Sequence, residues 1–346
     1  MAYSTISKST LHFETKLWTG NGSTQTITGF GFQPDMVWLK QRTSSTRNHN
    51  LYDAVRGATA RIYPDDTSGQ DTASNGLTGF TSDGFTLGND TSNSENSGTY
   101  VSWNWKAGGA GSANSDGSTA TVKTSANATA GISVVQYTGN GANRTMGHGL
   151  GIAPDMILTK QTSGTRDWYV GATSIGWAAE LYLQSSAGSA SSPSTFNSTA
   201  PTTSVFSIGS GSAANSNGET FMAYCFADVK GFSKIGKQYS GNGNADGPFV
   251  FCGFKPAWVL IKREQGGQNW NIYDNKRLGY NGGDAPLFAD LNNVESTDYG
   301  RIDFLSNGFK IRTTNGQLNT DGNSYTYMAF AEAPLVGSNN QPSTAR

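Results

Sequence analysis

One unit occurs three times in this chain, and that repetition constrains the fold more than any other feature. Thr19-Gly20-Asn21-Gly22, Thr138-Gly139-Asn140-Gly141 and Ser240-Gly241-Asn242-Gly243 are the same turn, each preceded by an aromatic residue. About fifteen residues later an X-Pro step opens an apolar strand, at Pro34-Asp35-Met36-Val37-Trp38-Leu39-Lys40, Pro154-Asp155-Met156-Ile157-Leu158-Thr159-Lys160 and Pro256-Ala257-Trp258-Val259-Leu260-Ile261-Lys262. The prolines lie roughly a hundred residues apart, which is the size of a domain and too long for a solenoid or propeller-blade repeat. The spacing predicts module 1 over 1–106, module 2 over 132–230 and module 3 with a C-terminal tail over 231–346.

Each copy closes on an aromatic-rich strand, Tyr100 to Trp105, Phe221 to Phe226 and Tyr325 to Phe330. The two end rings of each strand are five residues apart. An odd separation along a strand places them on opposite faces, so both faces of the closing strand should be covered. Ahead of it lie short alternating strands at Phe85-Thr86-Leu87, Val205-Phe206-Ser207-Ile208 and Phe309-Lys310-Ile311. With 44 Gly, 14% charged residues and long Ser, Thr and Asn stretches, the composition favours turns and pleated strands over helix. The fold class expected is all-β: three tandem antiparallel β-sandwich modules of the jelly-roll or lectin-like kind, with little helix. A weak helical candidate remains near Trp177-Ala178-Ala179-Glu180-Leu181.

Between the first two modules, 107–131 is dominated by Gly, Ala, Ser and Thr, the composition of a flexible or extended linker. The second connection, Lys230 to Gly236, is short. Modules 2 and 3 are therefore expected to pack together, with module 1 placed more independently.

A net charge of −1 and a pI near 6.3 exclude a general attraction to nucleic acid, which needs clustered Lys and Arg. No run approaches the length of a membrane span, so no membrane insertion is expected. The start, Met1 to Lys8, lacks the charged beginning and apolar centre of a secretion signal. Two cysteines, Cys225 and Cys252, read as buried reduced thiols or as a bridge between modules 2 and 3; Cys225 aligns with Ala329, a small-residue position.

The repeats also provide an internal test for catalysis, because a structural residue can recur in several modules whereas an active site needs only one. Asp53 and Arg56 recur as Asp274 and Arg277, while module 2 lacks the acid in its matching stretch, Trp168-Tyr169-Val170-Gly171. These pairs read as charge-assisted hydrogen bonds that brace loops. The three histidines, His12, His49 and His148, show no metal-ligand spacing, and the Gly-Asn-Gly turns are not followed by Gly-Lys-Ser/Thr. The Gly-x-Ser-x-Gly nucleophile motif is absent as well. Neither an enzyme nor a cofactor or metal site is expected. Trp168 and Trp270, at matching places in polar loops, are candidates for stacking on a glycan, against the alternative that they cover the module cores.

The motifs Gly31-Phe32-Gln33-Pro34-Asp35-Met36-Val37-Trp38-Leu39-Lys40, Leu51-Tyr52-Asp53-Ala54-Val55-Arg56-Gly57, Ser82-Asp83-Gly84-Phe85-Thr86-Leu87-Gly88 and Tyr327-Met328-Ala329-Phe330-Ala331-Glu332 carry a resemblance. The chain resembles virion structural proteins of tailed bacteriophages, especially marine and cyanobacterial ones, often described as tail-fibre-like. The resemblance implies a non-enzymatic virion protein, assembled in the host cytoplasm and exposed on the particle, with other virion proteins as partners. A tail or fibre adhesin touching a host-surface carbohydrate is the first expectation. A capsid decoration or head-fibre protein, its three modules forming a pseudo-threefold lobe, is the second, and a carbohydrate-active enzyme a remote third. A homo-oligomer is expected, a trimer being common among phage fibres, although no heptad pattern specifies one.

Overall fold

The three repeated units build one chain-internal ring. A computed structural model describes residues 4–43, 47–277, 281, 285–297 and 300–334. The tail assigned to module 3 beyond Pro334 lies outside the described residues, as do Met1 to Tyr3.

Each module has the same main sheet of antiparallel strands. Its first strand is Phe13–Thr19, Ile132–Thr138 or Ser233–Ser240 in modules 1, 2 and 3. Next come the closing strand (Thr99–Trp105, Thr220–Phe226, Ser324–Pro334) and the proline-led strand (Met36–Gln41, Met156–Gln161, Phe254–Arg263). The fourth, outer strand is Asn50–Asp53, Trp168–Ala172 or Asn271–Asp274. The register repeats too, since Met36, Met156 and Trp258 lie opposite Trp105, Phe226 and Phe330 respectively. A smaller second sheet covers one face of each main sheet: Gln25–Thr28, Gly84–Leu87 and Leu77–Thr81 in module 1, Arg144–Gly147 and Val205–Ile208 in module 2, and Phe249–Phe251, Gly308–Ile311 and Ile302–Leu305 in module 3. The class is all-β and sandwich-like. Among the described residues, helix is confined to short turns, Thr91–Ser94, Ser212–Asn215 and Gly316–Asn319, which precede the closing strands, and a 3-10 turn at Ser9–Leu11.

The Gly-Asn-Gly motifs sit against those one-turn helices. A Cβ at Gly20, Gly139 or Gly241 would run into the carbonyl oxygen of Glu95, Ser216 or Thr320, so only glycine allows the approach. Gly22, Gly141 and Gly243 take φ values of 68°, 70° and 68°. In between, Asn21, Asn140 and Asn242 each accept the backbone N–H two residues on, the Asx turn that asparagine favours. The aromatic residue preceding each turn stacks on the first ring of the closing strand: Trp18 on Tyr100, Tyr137 on Phe221 and Tyr239 on Tyr325, at 5.3, 5.4 and 5.0 Å between centroids.

The opposite face of each main sheet points inward. There the other closing-strand rings, Trp105, Phe226 and Phe330, meet around a pseudo-threefold axis, with centroid separations of 6.3, 5.7 and 6.2 Å. Trp103, Tyr224, Trp258 and Phe13 extend this shared core. Modules 1 and 2 keep separate sandwich cores, around Phe30, Leu39 and Phe85 and around Tyr137, Ile157 and Phe206. The expectation that module 1 stands more independently is therefore corrected, because it donates Trp38, Trp103 and Trp105 to the common core. Of the two forms expected for 107–131, flexible or extended, Lys123–Asn127 takes the extended one, as a strand added to the first strand of module 2. Upstream, Ala107 N–H donates to Asp35 and Ser112 bridges Thr124. The helical candidate near Trp177 is instead the strand Ala179–Tyr182, recruited by pairing with the outer strand through Val170 and Leu181. Both cysteines are free and buried.

Candidate functional site

The groups singled out as functional candidates converge on the three seams between modules, and each seam has the same construction. The Trp168 indole N–H of module 2 donates to Tyr63 O of module 1 at 2.7 Å, and that of Trp270 in module 3 to Tyr182 O of module 2 at 2.8 Å. The third seam uses His49, whose Nε2 lies 3.0 Å from Phe288 O of module 3. His49 Nδ1 accepts from the Trp38 indole at 2.9 Å, so Nε2 must carry the proton and donate. Burial, with Lys40 nearby, pulls its pKa well below the usual histidine value and keeps it neutral. Ring-nitrogen donors thus run from module 2 to 1, 1 to 3 and 3 to 2, a head-to-tail contact that closes after three steps.

The conserved geometry extends to charge. Lys40, Lys160 and Lys262, one at the same place in each proline-led strand, are fully buried. Each ammonium donates across its seam to a backbone carbonyl: Asn292 at 3.2 Å, Thr67 at 2.8 Å and Ser185 at 3.4 Å. Burial pushes Lys40 and Lys160 down to about 8 and moves Lys262 in the same direction. Two residues beyond each lysine, the backbone carbonyls of Arg42, Thr162 and Glu264 accept from Glu295, Gln70 and Ser189 N–H of the adjoining module. Arg42 adds an ion pair to Glu295 at 2.7 Å.

Asp53 and Asp274 brace their loops and also bind the next module. Arg56 Nε donates to Asp53, and Arg277 Nε to Asp274, both at 2.6 Å with the carboxylates fully buried. The second guanidinium arms reach Leu51 O and Ile272 O. The same Asp53 oxygen accepts the Tyr224 hydroxyl of module 2 at 2.7 Å, and Asp274 accepts the Trp103 indole N–H of module 1 at 3.0 Å. The register that pairs Met36, Met156 and Trp258 with Asp53, Ala172 and Asp274 makes Ala172 the module 2 equivalent. Its cross-seam counterpart, equivalent to Tyr224 and Trp103, is Met328. Acid and donor are thus absent together at one seam, and both replacements lie in the shared apolar core. That pairing accounts for the missing acid of module 2.

Trp168 and Trp270 are 0% and 1% exposed, so neither presents a ring face to solvent. The glycan expectation for these two residues is corrected: their N–H groups and faces are consumed by the seams. The residues missed by sequence reading are His49, which takes in module 1 the place that Trp168 and Trp270 take in the others, and the three lysines. The lysines did carry a signal, a cation at one fixed place in three apolar strands. Among the described residues, no group of three or more His, Cys, Asp or Glu side chains is placed to hold a metal. A depression lined by Arg61, Asn75, Asn89 and Asp90 is open and polar, and Arg61 is already paired with Asp71 and Asp90 at 2.6 and 3.0 Å.

Neither curated proteins nor solved structures contain a match to this chain. A family model described as Domain of unknown function (DUF7483) matches residues 8–334, from the 3-10 turn before the first strand to the last residue of the final closing strand. The match spans all three modules and their seams as one unit, and the chain belongs to this family.

Proposed function

We propose that this chain is a non-enzymatic structural protein of a tailed-bacteriophage particle, a single-chain lobe that offers a particle three equivalent module surfaces. The observation that carries this reading is the closed ring of ring-nitrogen donors at the three seams. A protein that folds as a fused trimer presents quasi-equivalent faces about one axis, which suits seating at a symmetric position of a larger assembly. Support also comes from the use made of the chemistry-bearing side chains: Asp53, Asp274 and the three lysines bind across the seams, and Arg56 and Arg277 hold the two carboxylates in place. Burial of Trp168 and Trp270 favours the decoration or head-fibre form of this reading over a glycan-binding tail adhesin.

The test is a cryo-electron reconstruction of the phage that encodes the chain, with its copy number measured by mass spectrometry of purified particles. One copy per symmetric position on the shell is the expected result. Density confined to the tail tip would transfer the lobe to host attachment, and absence from purified particles would overturn the virion reading altogether.

A further inference from the structure

The second sheet of module 3 differs from its two counterparts at one edge. Among the described residues Phe249–Phe251 is the end strand of that sheet, so one rim of its backbone has no strand beside it. Phe249 and Phe251 are 45% and 55% exposed, whereas Val250 between them is buried. Pairing to the adjacent strand aligns Val250 with Ile27 and Met146, because each lies opposite the phenylalanine of its neighbour, Phe309, Phe85 or Phe206. The outward positions are therefore Thr26 and Thr28 in module 1, Thr145 and Gly147 in module 2, and two phenylalanines in module 3.

The structure already shows what such an edge accommodates. In module 2 it is covered by a bent stretch of the inter-module segment: Thr145 N–H donates to Ser118 Oγ at 3.0 Å and Ser118 N–H to Thr145 Oγ1 at 2.8 Å. Asn114 sits where a side chain at Gly147 would go. Module 3 has no preceding segment of this length, since the last strand of module 2 ends at Phe226 and the first strand of module 3 begins at Ser233. Pro248 to Gly253 contains no charged residue, although exposed edges are usually guarded by charge.

We infer that the Phe249–Phe251 strand is a self-association edge that pairs antiparallel with the same strand of a second copy of this chain. The sequence Phe-Val-Phe reads identically in both directions. An antiparallel pair centred on Val250 therefore sets Phe249 of each copy against Phe251 of the other, and makes two aromatic cross-strand pairs from one patch. The contact is isologous and closes as a dimer, because the twofold uses the edge of both partners. This contact is independent of the symmetric seating proposed above and would join two lobes side by side.

Sedimentation equilibrium of the full chain over a range of concentrations tests it. The wild-type chain is expected to pass from monomer to dimer with concentration. A Phe249→Thr/Phe251→Thr variant, which carries the residues of the module 1 edge, is expected to stay monomeric with an unchanged thermal melt. A wild-type chain that remains monomeric, or a double-threonine variant that dimerises equally, overturns the inference. Register is read separately by cysteine cross-linking. Mixed Phe249→Cys and Phe251→Cys chains are expected to form a disulfide-linked heterodimer well above the level of either variant alone; equal cross-linking in all three samples overturns the antiparallel pairing.

Discussion

At the scale of single residues, the buried carboxylates Asp53 and Asp274 show how one side chain serves two levels of structure. Each receives a guanidinium from its own loop and a neutral donor from the next module. Removing one partner of a buried pair leaves the other charge uncompensated, which costs roughly 3–5 kcal/mol. Asp53→Ala is expected to lower stability by that amount in urea unfolding. Tyr224→Met alone is expected to cost less, and the double variant Asp53→Ala/Tyr224→Met less than the sum of the two, because both remove the same hydrogen bond. Strict additivity would show that the Tyr224 hydroxyl and Asp53 do not act together. The Ala172 and Met328 positions already display the apolar end of that cycle within the same chain. The recurrence of Asp and Arg in two modules was legible in the sequence. The donor that explains the exception was not, because it lies 171 residues away on another module.

At the scale of elements, the turn glycines and the lysine-bearing strands lead to separate expectations. Gly20→Ala would drive a Cβ into the Glu95 carbonyl, backbone that cannot rotate aside, and is expected to cost about 1–3 kcal/mol as an overpacking change. Gly79→Ala, where no atom lies within 4 Å of the added carbon, is expected to be neutral or slightly stabilising in the same thermal melt. For the lysines the sign follows from linkage. Lys40 and Lys160 titrate near 8 in the fold and near 10.5 when unfolded. Between those values the unfolded chain holds more protons, so stability rises with pH, by at most about 1.4 kcal/mol per unit for each lysine. Cys225 and tyrosines such as Tyr52, each pushed up to about 12 by burial, oppose this trend once the unfolded thiol and phenol begin to ionise, from about pH 8 and about pH 9 upward. The stability of the wild-type chain relative to Lys160→Met, from urea unfolding of both, is expected to rise from about pH 8 to about pH 10, because the other titrating groups cancel in the difference. A difference that stays constant over this window would mean that Lys160 is not held in an environment that disfavours its charge.

At the scale of the whole molecule, the three modules act as one folding unit because each buries the inner face of its main sheet only against the other two. A fragment spanning 132–230 would expose Trp168, Tyr224 and Phe226 together and is expected to aggregate or remain unfolded, while the intact chain unfolds in one cooperative transition by calorimetry. A soluble, well-dispersed NMR spectrum from that fragment would contradict the shared core. Sequence alone determined the number of modules, the all-β class, the Gly-Asn-Gly turns and the two-faced closing strands, because periodicity, turn chemistry and strand alternation are local properties. It did not determine whether Trp168 and Trp270 face a sugar or a neighbouring module, since an aromatic ring in a polar loop has the same local pattern in either case. Nor did it reveal that a segment rich in Gly and Ser is a sheet strand, because the partners of Lys123–Asn127 are supplied by the edge of module 2. Those outcomes were decided by the tertiary structure: three similar sheets, each with one apolar face left over, reach a closed arrangement only when all three meet at Trp105, Phe226 and Phe330.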